Sequence, residues 1–384
     1  MPRPPHPAQT TATLSAGIFS ELHRRARAST GRIFPLHVGD TTLDPHPAAR
    51  AEAQRIADWP DLHRYAPPPG RPELLDAVQA VMPGIARRRL QISCGATGGL
   101  AVVAGALLDP GDEVILPAPF WPLIRGIIEG RGAVARQVPI FDRLDAPDFD
   151  LEAALEQARS PRTVAVYVNS PHNPTGRILS DAELGVFADF ARRHDLWILS
   201  DEAYERLAYT DLPTPLWRRP ELADRVVSAH TLSKSHGLSG ARIGWVQAPE
   251  AVAPAVRAVQ TFTTYCAPTP MQAAAVRALE QGDGWVAETR ARYARAGARA
   301  ARAFGQPPPQ GGTFVFADVS PWMRAGEDLE ALLVRCLEAG VLLTPGTACG
   351  EAYTTHVRVS FTSVSEADLE EALGRLKEAG VGHG

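Results

Sequence analysis

Lysine is almost missing from this chain. Of its 384 residues, 39 are lysine or arginine, yet only Lys234 and Lys377 are lysine. Cysteine is scarce as well: four residues, at 94, 266, 336 and 349, show neither metal-ligand spacing nor the density of a disulfide framework. That excludes a disulfide-stapled secreted domain and predicts a reduced, cytoplasmic setting. No apolar run is long enough to cross a bilayer. The opening Met-Pro-Arg-Pro-Pro-His-Pro lacks the apolar stretch of a signal peptide and is expected to fray. Excess charge is missing too. A net charge of -4 gives no electrostatic reason to bind nucleic acid or an anionic membrane. What remains is ordinary globular chemistry, 45% hydrophobic and 21% charged, over a length that predicts roughly two to three domains. Proline and glycine are abundant but dispersed, which predicts many short loops and no disordered tract.

The scarcity of lysine makes its two positions informative. Arginine does not lose its proton at working pH, so it can neither attack as an amine nor form a Schiff base. Lys377 lies near the end of an amphipathic C-terminal helix and reads as a solvated surface residue. Lys234 lies in Ala-His-Thr-Leu-Ser-Lys-Ser-His-Gly-Leu-Ser-Gly, a small-residue loop leaving an apolar run. Codon bias with chance survival is the bland explanation for Lys234. A reactive amine is the other.

The middle of the chain alternates short β-branched runs with helical stretches. Asp109-Pro110-Gly111 is a turn signal leading into a strand over 112–116. Apolar runs predict further strands over 163–168, 196–199 and 225–229. Helical periodicity over 181–194 opens with Ser180 as N-cap and Glu183 three residues on. Such alternation predicts an α/β fold, a largely parallel sheet with helices on both faces, placed at 46–283. After Gly282 a long Ala/Arg-rich helix (285–304) leads into a smaller α+β domain, 284–384. It is expected to contain a strand over 313–318, a helix over 328–339, a short strand near Val341, a strand over 356–361 and a final helix from Ser365. Residues 1–45 are expected to pack on this smaller domain, and 306–312 to form a turn within it.

Three polar clusters follow predicted strands: Asn173 in Asn-Ser-Pro-His-Asn-Pro-Thr-Gly, Asp201 and Tyr204 in Ser-Asp-Glu-Ala-Tyr, and Lys234. In an open parallel sheet the C-terminal strand ends share one rim, where ligands bind. These residues are therefore expected to meet in one crevice. An amine beside a carboxylate points to a carbonyl cofactor. Pyridoxal phosphate needs a lysine for its aldehyde, an acid for its pyridine nitrogen, donors for its phenolic oxygen and an anion site for its phosphate. Gly95-Ala96-Thr97-Gly98-Gly99-Leu100, opening a helix, can supply that anion site through close backbone approach and free N–H groups. Ser233 and Arg242 add a hydroxyl and a fixed charge.

In these segments the chain resembles the class I/II aminotransferases of the fold-type I pyridoxal-phosphate-dependent superfamily. The resemblance runs from about Gly39 to Arg358. It is carried most by Asn173-Pro174-Thr175-Gly176, Ser200-Asp201-Glu202-Ala203-Tyr204, Ser233-Lys234 and Gly240-Ala241-Arg242-Ile243-Gly244. It implies a mostly parallel seven-stranded sheet and a Schiff base between Lys234 and pyridoxal 5'-phosphate. It further implies that Asp201 pairs with the pyridine nitrogen and that Asn173 and Tyr204 bond the phenolic oxygen. Ala96, Thr97, Ser233 and Arg242 would hold the phosphate, and Trp121 would stack on the ring. Tyr65 falls where the family reaches the neighbouring subunit's phosphate, implying a homodimer with shared active sites. Arg358 and Gly39 match the residues around the substrate α-carboxylate. The activity implied is transfer of an amino group from an L-amino acid to a 2-oxo acid.

Each assignment has a plainer competitor. Asp201 suits a helix N-cap. Trp121 suits the core, with Phe120 beside it an equally good stacker. Tyr65 suits a surface loop, and Arg358 is one of many arginines. His236, His172 and Cys94 receive no role. Carbon–sulfur lyases share the fold and cofactor, and their motifs overlap with these. An effector-sensing module of a transcription regulator would need a DNA-binding domain, for which the residues before the large domain leave no room. A cofactor-free structural α/β protein is the third alternative. The side-chain pocket is expected to involve Ile18 and Phe19, the loop after Gly39, and Thr264-Tyr265 from either subunit. No second arginine is assignable to a distal carboxylate, which favours an apolar or aromatic substrate.

Overall fold

The computed structural model describes residues 8–11, 14, 20–28, 31–55, 58 and 61–383. Seven strands form its large sheet: β1 (Leu90–Ser93), β2 (Glu113–Ala118), β3 (Val134–Pro139), β4 (Thr163–Asn169), β5 (Trp197–Asp201), β6 (Val226–Thr231) and β7 (Gly244–Gln247). Their spatial order is β1-β7-β6-β5-β4-β2-β3. Strand β7 runs against both neighbours, and all other pairs are parallel.

The central strands read as nearly continuous apolar runs because helices cover both faces. Alternation still decides which side chain goes where. Val166, Val168, Ile198 and Val226 pack with Leu184 and Phe187 of the helix Asp181–Arg193. Tyr167, Leu199, Val227 and Ala229 face the other way, against Leu100 and Val103 of the helix Gly95–Leu107. Each such buried aliphatic or aromatic side chain contributes about 1.5–3 kcal/mol. The helix Asp181–Arg193 begins with the expected capping box: Ser180 Oγ accepts from Glu183 N at 3.2 Å, and Ser180 N donates to Glu183 Oε2 at 2.7 Å.

A three-stranded antiparallel sheet follows the long helix Asp283–Ala303: β8 (Phe314–Asp318), β9 (Thr344–Pro345) and β10 (His356–Ser360), in order β8-β10-β9. Phe34 and Leu36 share its apolar cluster with Leu332, Val357 and Leu369. Backbone bonds tie the same segment down, from Phe34 N to Gly340 O at 2.8 Å and from Ser360 N to Leu36 O at 2.7 Å. The loop at 306–312 reaches the other sheet's rim, where Gln310 N and Gly311 N both donate to Gly176 O.

Two details differ from expectation. Val341 makes only an isolated bridge to Phe34, and the ladder strand comes later, at Thr344–Pro345. The chain near Val341 pairs with the N-terminal segment, a partner more than 300 residues away that no local pattern reveals. Strands β1, β3 and β7 were not expected. The first and last have four residues each, too few to establish a period.

Candidate functional site

The C-terminal ends of β4, β5 and β6 open onto a cavity of about 390 Å³. Gly39, Ala96, Thr97, Trp121, Asn173, Asp201, Tyr204, Ser233, Lys234, Arg242 and Arg358 all line it. Two more spacious clefts, about 560 and 700 Å³, contain none of these residues.

Asp201 is the last residue of β5, on the same face as Leu199, and is 4% exposed. Its Oδ2 accepts from Tyr167 Oη at 2.7 Å and its Oδ1 from Ala203 N at 3.1 Å. Burial pushes its pKa up, opposed by the Tyr167 and Ala203 hydrogen bonds and by the field of His230. Asp201 follows a strand as an N-cap would, but the short helix Glu205–Leu207 has Tyr204 at its N-cap.

Asn173 is fixed by Asn169, the final residue of β4. Asn169 Oδ1 accepts from Asn173 N at 2.8 Å, while Asn169 Nδ2 donates to Asp201 O at 2.8 Å. Asn173 then spans the cavity wall. Its Nδ2 donates to Tyr204 Oη at 3.3 Å, and its Oδ1 accepts from Arg358 Nη1 at 3.1 Å. Tyr204 is buried and its pKa is raised, by desolvation first and the Asp201 charge second.

Lys234 sits in the turn after β6, with Nζ donating to Gly39 O. Burial holds its pKa below the ordinary lysine value, and the charges of Arg242 and Arg358 act the same way against Asp40. The amine is therefore a free base at lower pH than a solvated lysine. Among the described residues, no carboxylate lies within ion-pairing distance of it.

Arg358, on β10, is a buried cation in the cavity wall. It is 5% exposed, and burial lowers its pKa. Besides Asn173, it donates to His37 O at 3.1 Å and Thr344 Oγ1 at 3.4 Å, and its guanidinium lies 4.3 Å from the Phe314 ring centroid. Its Nε has no hydrogen-bond partner among the described residues. All of these neighbours are neutral, so a buried cation faces the cavity without a described counterion. Buried charges are ordinarily paired, and such a group marks an anion site.

A second anion cradle lies at the start of the helix Gly95–Leu107, whose first amides are free of helix partners. Gly95 packs directly on β7: a Cβ at Gly244 would lie 2.3 Å from His230 O and 2.8 Å from Gly95 C. Only glycine at 244 lets that turn seat so close to the sheet. Arg242 flanks the cradle, donating to Ser239 O at 2.9 Å and Cys94 O at 3.1 Å.

Of the adjacent aromatics, Phe120 is core at 1% exposure and Trp121 is cavity wall. Tyr65 is not in the cavity of its own chain. It is 84% exposed and meets Tyr265 edge-on at 5.0 Å between centroids. Thr264 and Tyr265 also lie outside that cavity, and Ile18 and Phe19 fall outside the described residues. His37, Val38, Leu123 and Phe314 also line the wall. Sequence reasoning passed over Tyr167, Asn169 and Phe314. The first two carried a signal, as polar-tipped residues spaced two apart in an apolar strand. Phe314 carried none, since its place under Arg358 is set by β8–β10 pairing. Among the described residues no group of three or more His, Cys, Asp or Glu is placed to hold a metal, and no helix is long and apolar enough to cross a membrane.

Comparison with known proteins bears on this site. The family described as "Aminotransferase class I and II" matches residues 32–376. A probable aspartate/prephenate aminotransferase of Thermus aquaticus is 32% identical over 365 residues, 90% of each chain. An arginine–pyruvate transaminase of Pseudomonas aeruginosa is 31% identical over 373 residues, 93% of each. Among solved structures, the aspartate aminotransferase of Rhizobium meliloti superposes with a TM-score of 0.89 at 26% identity, covering 98% of both chains.

Proposed function

We propose, for a chain that belongs to the class I and II aminotransferases, transfer of an amino group from an L-amino acid to a 2-oxo acid using pyridoxal 5'-phosphate held at Lys234. One observation carries this reading: the amine of Lys234 shares a cavity with a buried carboxylate, Asp201, and with Arg358, a buried cation that has no counterion among the described residues. The residues fit the cofactor in kind. The amide-rich helix start with Thr97, Ser233 and Arg242 suits a phosphate dianion, and the orphaned Arg358 Nε suits a carboxylate.

When bound, the cofactor supplies an aldehyde that condenses with amines and a ring that accepts the electron pair left by a departing α-proton. The remaining work falls to side chains of this chain. Lys234 would hold the aldehyde and, once displaced by substrate, use its Nζ to take and return the α-proton. A depressed pKa leaves that amine unprotonated at lower pH than a solvated lysine, as a general base requires. Asp201 would hold a negative charge against the ring nitrogen. Asn173 and Tyr204 would bond the phenolic oxygen, and Trp121 would cover one ring face. Arg358 would grip the substrate α-carboxylate beside Gly39, fixing the direction of the α C–H bond.

The partner side of the proposal is a homodimer in the cytoplasm. Tyr65 and Phe262 are 84% and 90% exposed, an aromatic surface that a second copy would cover. Tyr65 would then reach the other subunit's phosphate. Sedimentation of the loaded protein as a single chain would remove that part. The apolar wall of Val38, Leu123 and Phe314 supports an apolar or aromatic amino donor.

The test is Lys234→Ala. The parent protein should yield a borohydride-fixed adduct on the peptide containing residue 234, and the variant should yield none and lose amino transfer. Full activity in the variant refutes the reading. Pyruvate and ammonia released from a cysteine conjugate without an oxo-acid acceptor would point to a lyase.

A further inference from the structure

We infer that Tyr167 is a positioning residue for Asp201, its hydroxyl holding that carboxylate in one orientation and in its charged form. The inference rests on the reading that Asp201 partners the cofactor's ring nitrogen. Tyr167 stands on β4 opposite Leu199, two residues before Asn169, which pairs with Asp201 in the parallel ladder. It is 2% exposed, and its Oη donates to Asp201 Oδ2 at 2.7 Å. The other oxygen is held by Ala203 N at 3.1 Å. Both carboxylate oxygens are thus pinned, one by a side chain and one by backbone.

The choice of a phenol has a physical reason. Among the described residues no lysine, arginine or histidine nitrogen lies within ion-pairing distance of Asp201. The titratable groups around it are Tyr167 from β4, Glu202 and Tyr204 from its own segment, His230 from β6, and Lys234 across the cavity. Desolvation alone would favour a neutral acid there, and the Tyr167 hydrogen bond is the foremost opposing influence. A neutral acid would offer the ring nitrogen no negative charge. A lysine or arginine in place of Tyr167 would keep the carboxylate charged but would compete for it. A neutral donor favours the anion without becoming its partner. Tyr167 otherwise packs in an apolar layer with Leu100, Leu199 and Val227, where a hydroxyl must find a partner.

The experiment titrates the visible absorbance of the cofactor-loaded protein against pH. Tyr167→Phe removes one oxygen and keeps the ring. A more basic carboxylate draws the shared proton away from the ring nitrogen, so the absorbance midpoint should rise by about one pH unit, a tenfold change. The ¹⁵N resonance of ring-labelled cofactor should move toward its unprotonated position. In an Asp201→Asn background the same change should leave the midpoint in place, because Tyr167 acts through Asp201. An unmoved midpoint in Tyr167→Phe, or an equal shift in the Asp201→Asn background, overturns the inference. Should Tyr167→Phe not fold, 3-fluorotyrosine introduced at position 167 alone, a stronger donor, should lower the midpoint, and an unmoved one overturns the inference. A parent protein that gains no visible band from the cofactor would refute the cofactor reading itself and take this inference with it.

Discussion

Two buried arginines should respond differently to the same substitution, Arg→Met, which keeps length and removes charge. Arg335 is paired: its Nε and Nη2 bind Glu327 at 3.0 and 2.7 Å, and both side chains are 10% exposed. Arg335→Met leaves Glu327 buried without its cation, an arrangement that costs about 3–5 kcal/mol. Among the described residues Arg358 has only neutral partners. Its three hydrogen bonds, about 1.5–3 kcal/mol each for a charged donor, and a ring contact worth about 1–2 kcal/mol oppose the desolvation of an unpaired ion, a penalty of several kcal/mol. Arg358→Met should therefore destabilise the substrate-free protein less than Arg335→Met does. Its effect should appear in kcat/KM, where removing one side of a buried charge pair costs about 2–5 kcal/mol, or roughly 30- to 5,000-fold. Urea unfolding without substrate, paired with steady-state kinetics, checks both limbs. If Arg358→Met destabilises as much as Arg335→Met while leaving kcat/KM unchanged, Arg358 is a structural cation and the anion-site argument fails.

Two further outcomes follow from particular contacts. Glu113, 1% exposed at its side chain, accepts from Arg136, Ser160 and Arg162, and these bonds, Arg136 foremost, hold its carboxylate at about 2 against an ordinary 4.5. Because the folded value is depressed, the stability it adds is present above pH 4.5 and is lost as pH falls from there through about 2. Both arginines are well exposed, so screening reduces the contribution to about 1–2 kcal/mol; Glu113→Gln should lose that much at pH 7 and flatten urea midpoints plotted between pH 5 and 2. At Gly39 an added Cβ would lie 2.7 Å from Phe314 Cζ, displacing the ring beneath Arg358. Gly39→Ala should raise substrate KM about tenfold with an unchanged borohydride adduct at Lys234, and a KM equal to the parent's would show that the ring yields without moving the guanidinium.

The parts of the fold that rest on local physics were legible from residue order. The strands at 163–168, 196–199 and 225–229 are short, largely apolar or β-branched runs, and the helix after Ser180 announces itself by its capping box. The short strands β1 and β7 were not legible, since each is held by pairing with distant chain. The site divides the same way. Lys234, Asp201, Asn173 and Arg242 stand in small, punctuated motifs at or beyond strand ends, where packing constrains side chains less and their chemistry shows through. Tyr167 and Phe314 look like core residues in sequence, and they are core residues whose tips or faces also meet the site.

Residue order by itself determined the α/β alternation and singled out Lys234, Asp201, Asn173 and Arg242 as candidates, because strand alternation and loop composition are properties of neighbours. Only tertiary structure decided that Arg358 is buried with no counterion among the described residues, that Tyr65 faces outward from its own chain, and that Tyr167 donates to Asp201. Those facts depend on which charges and hydroxyls are brought together from positions tens to hundreds of residues apart. Burial fixes their electrostatics, and no stretch of neighbouring residues encodes burial alone.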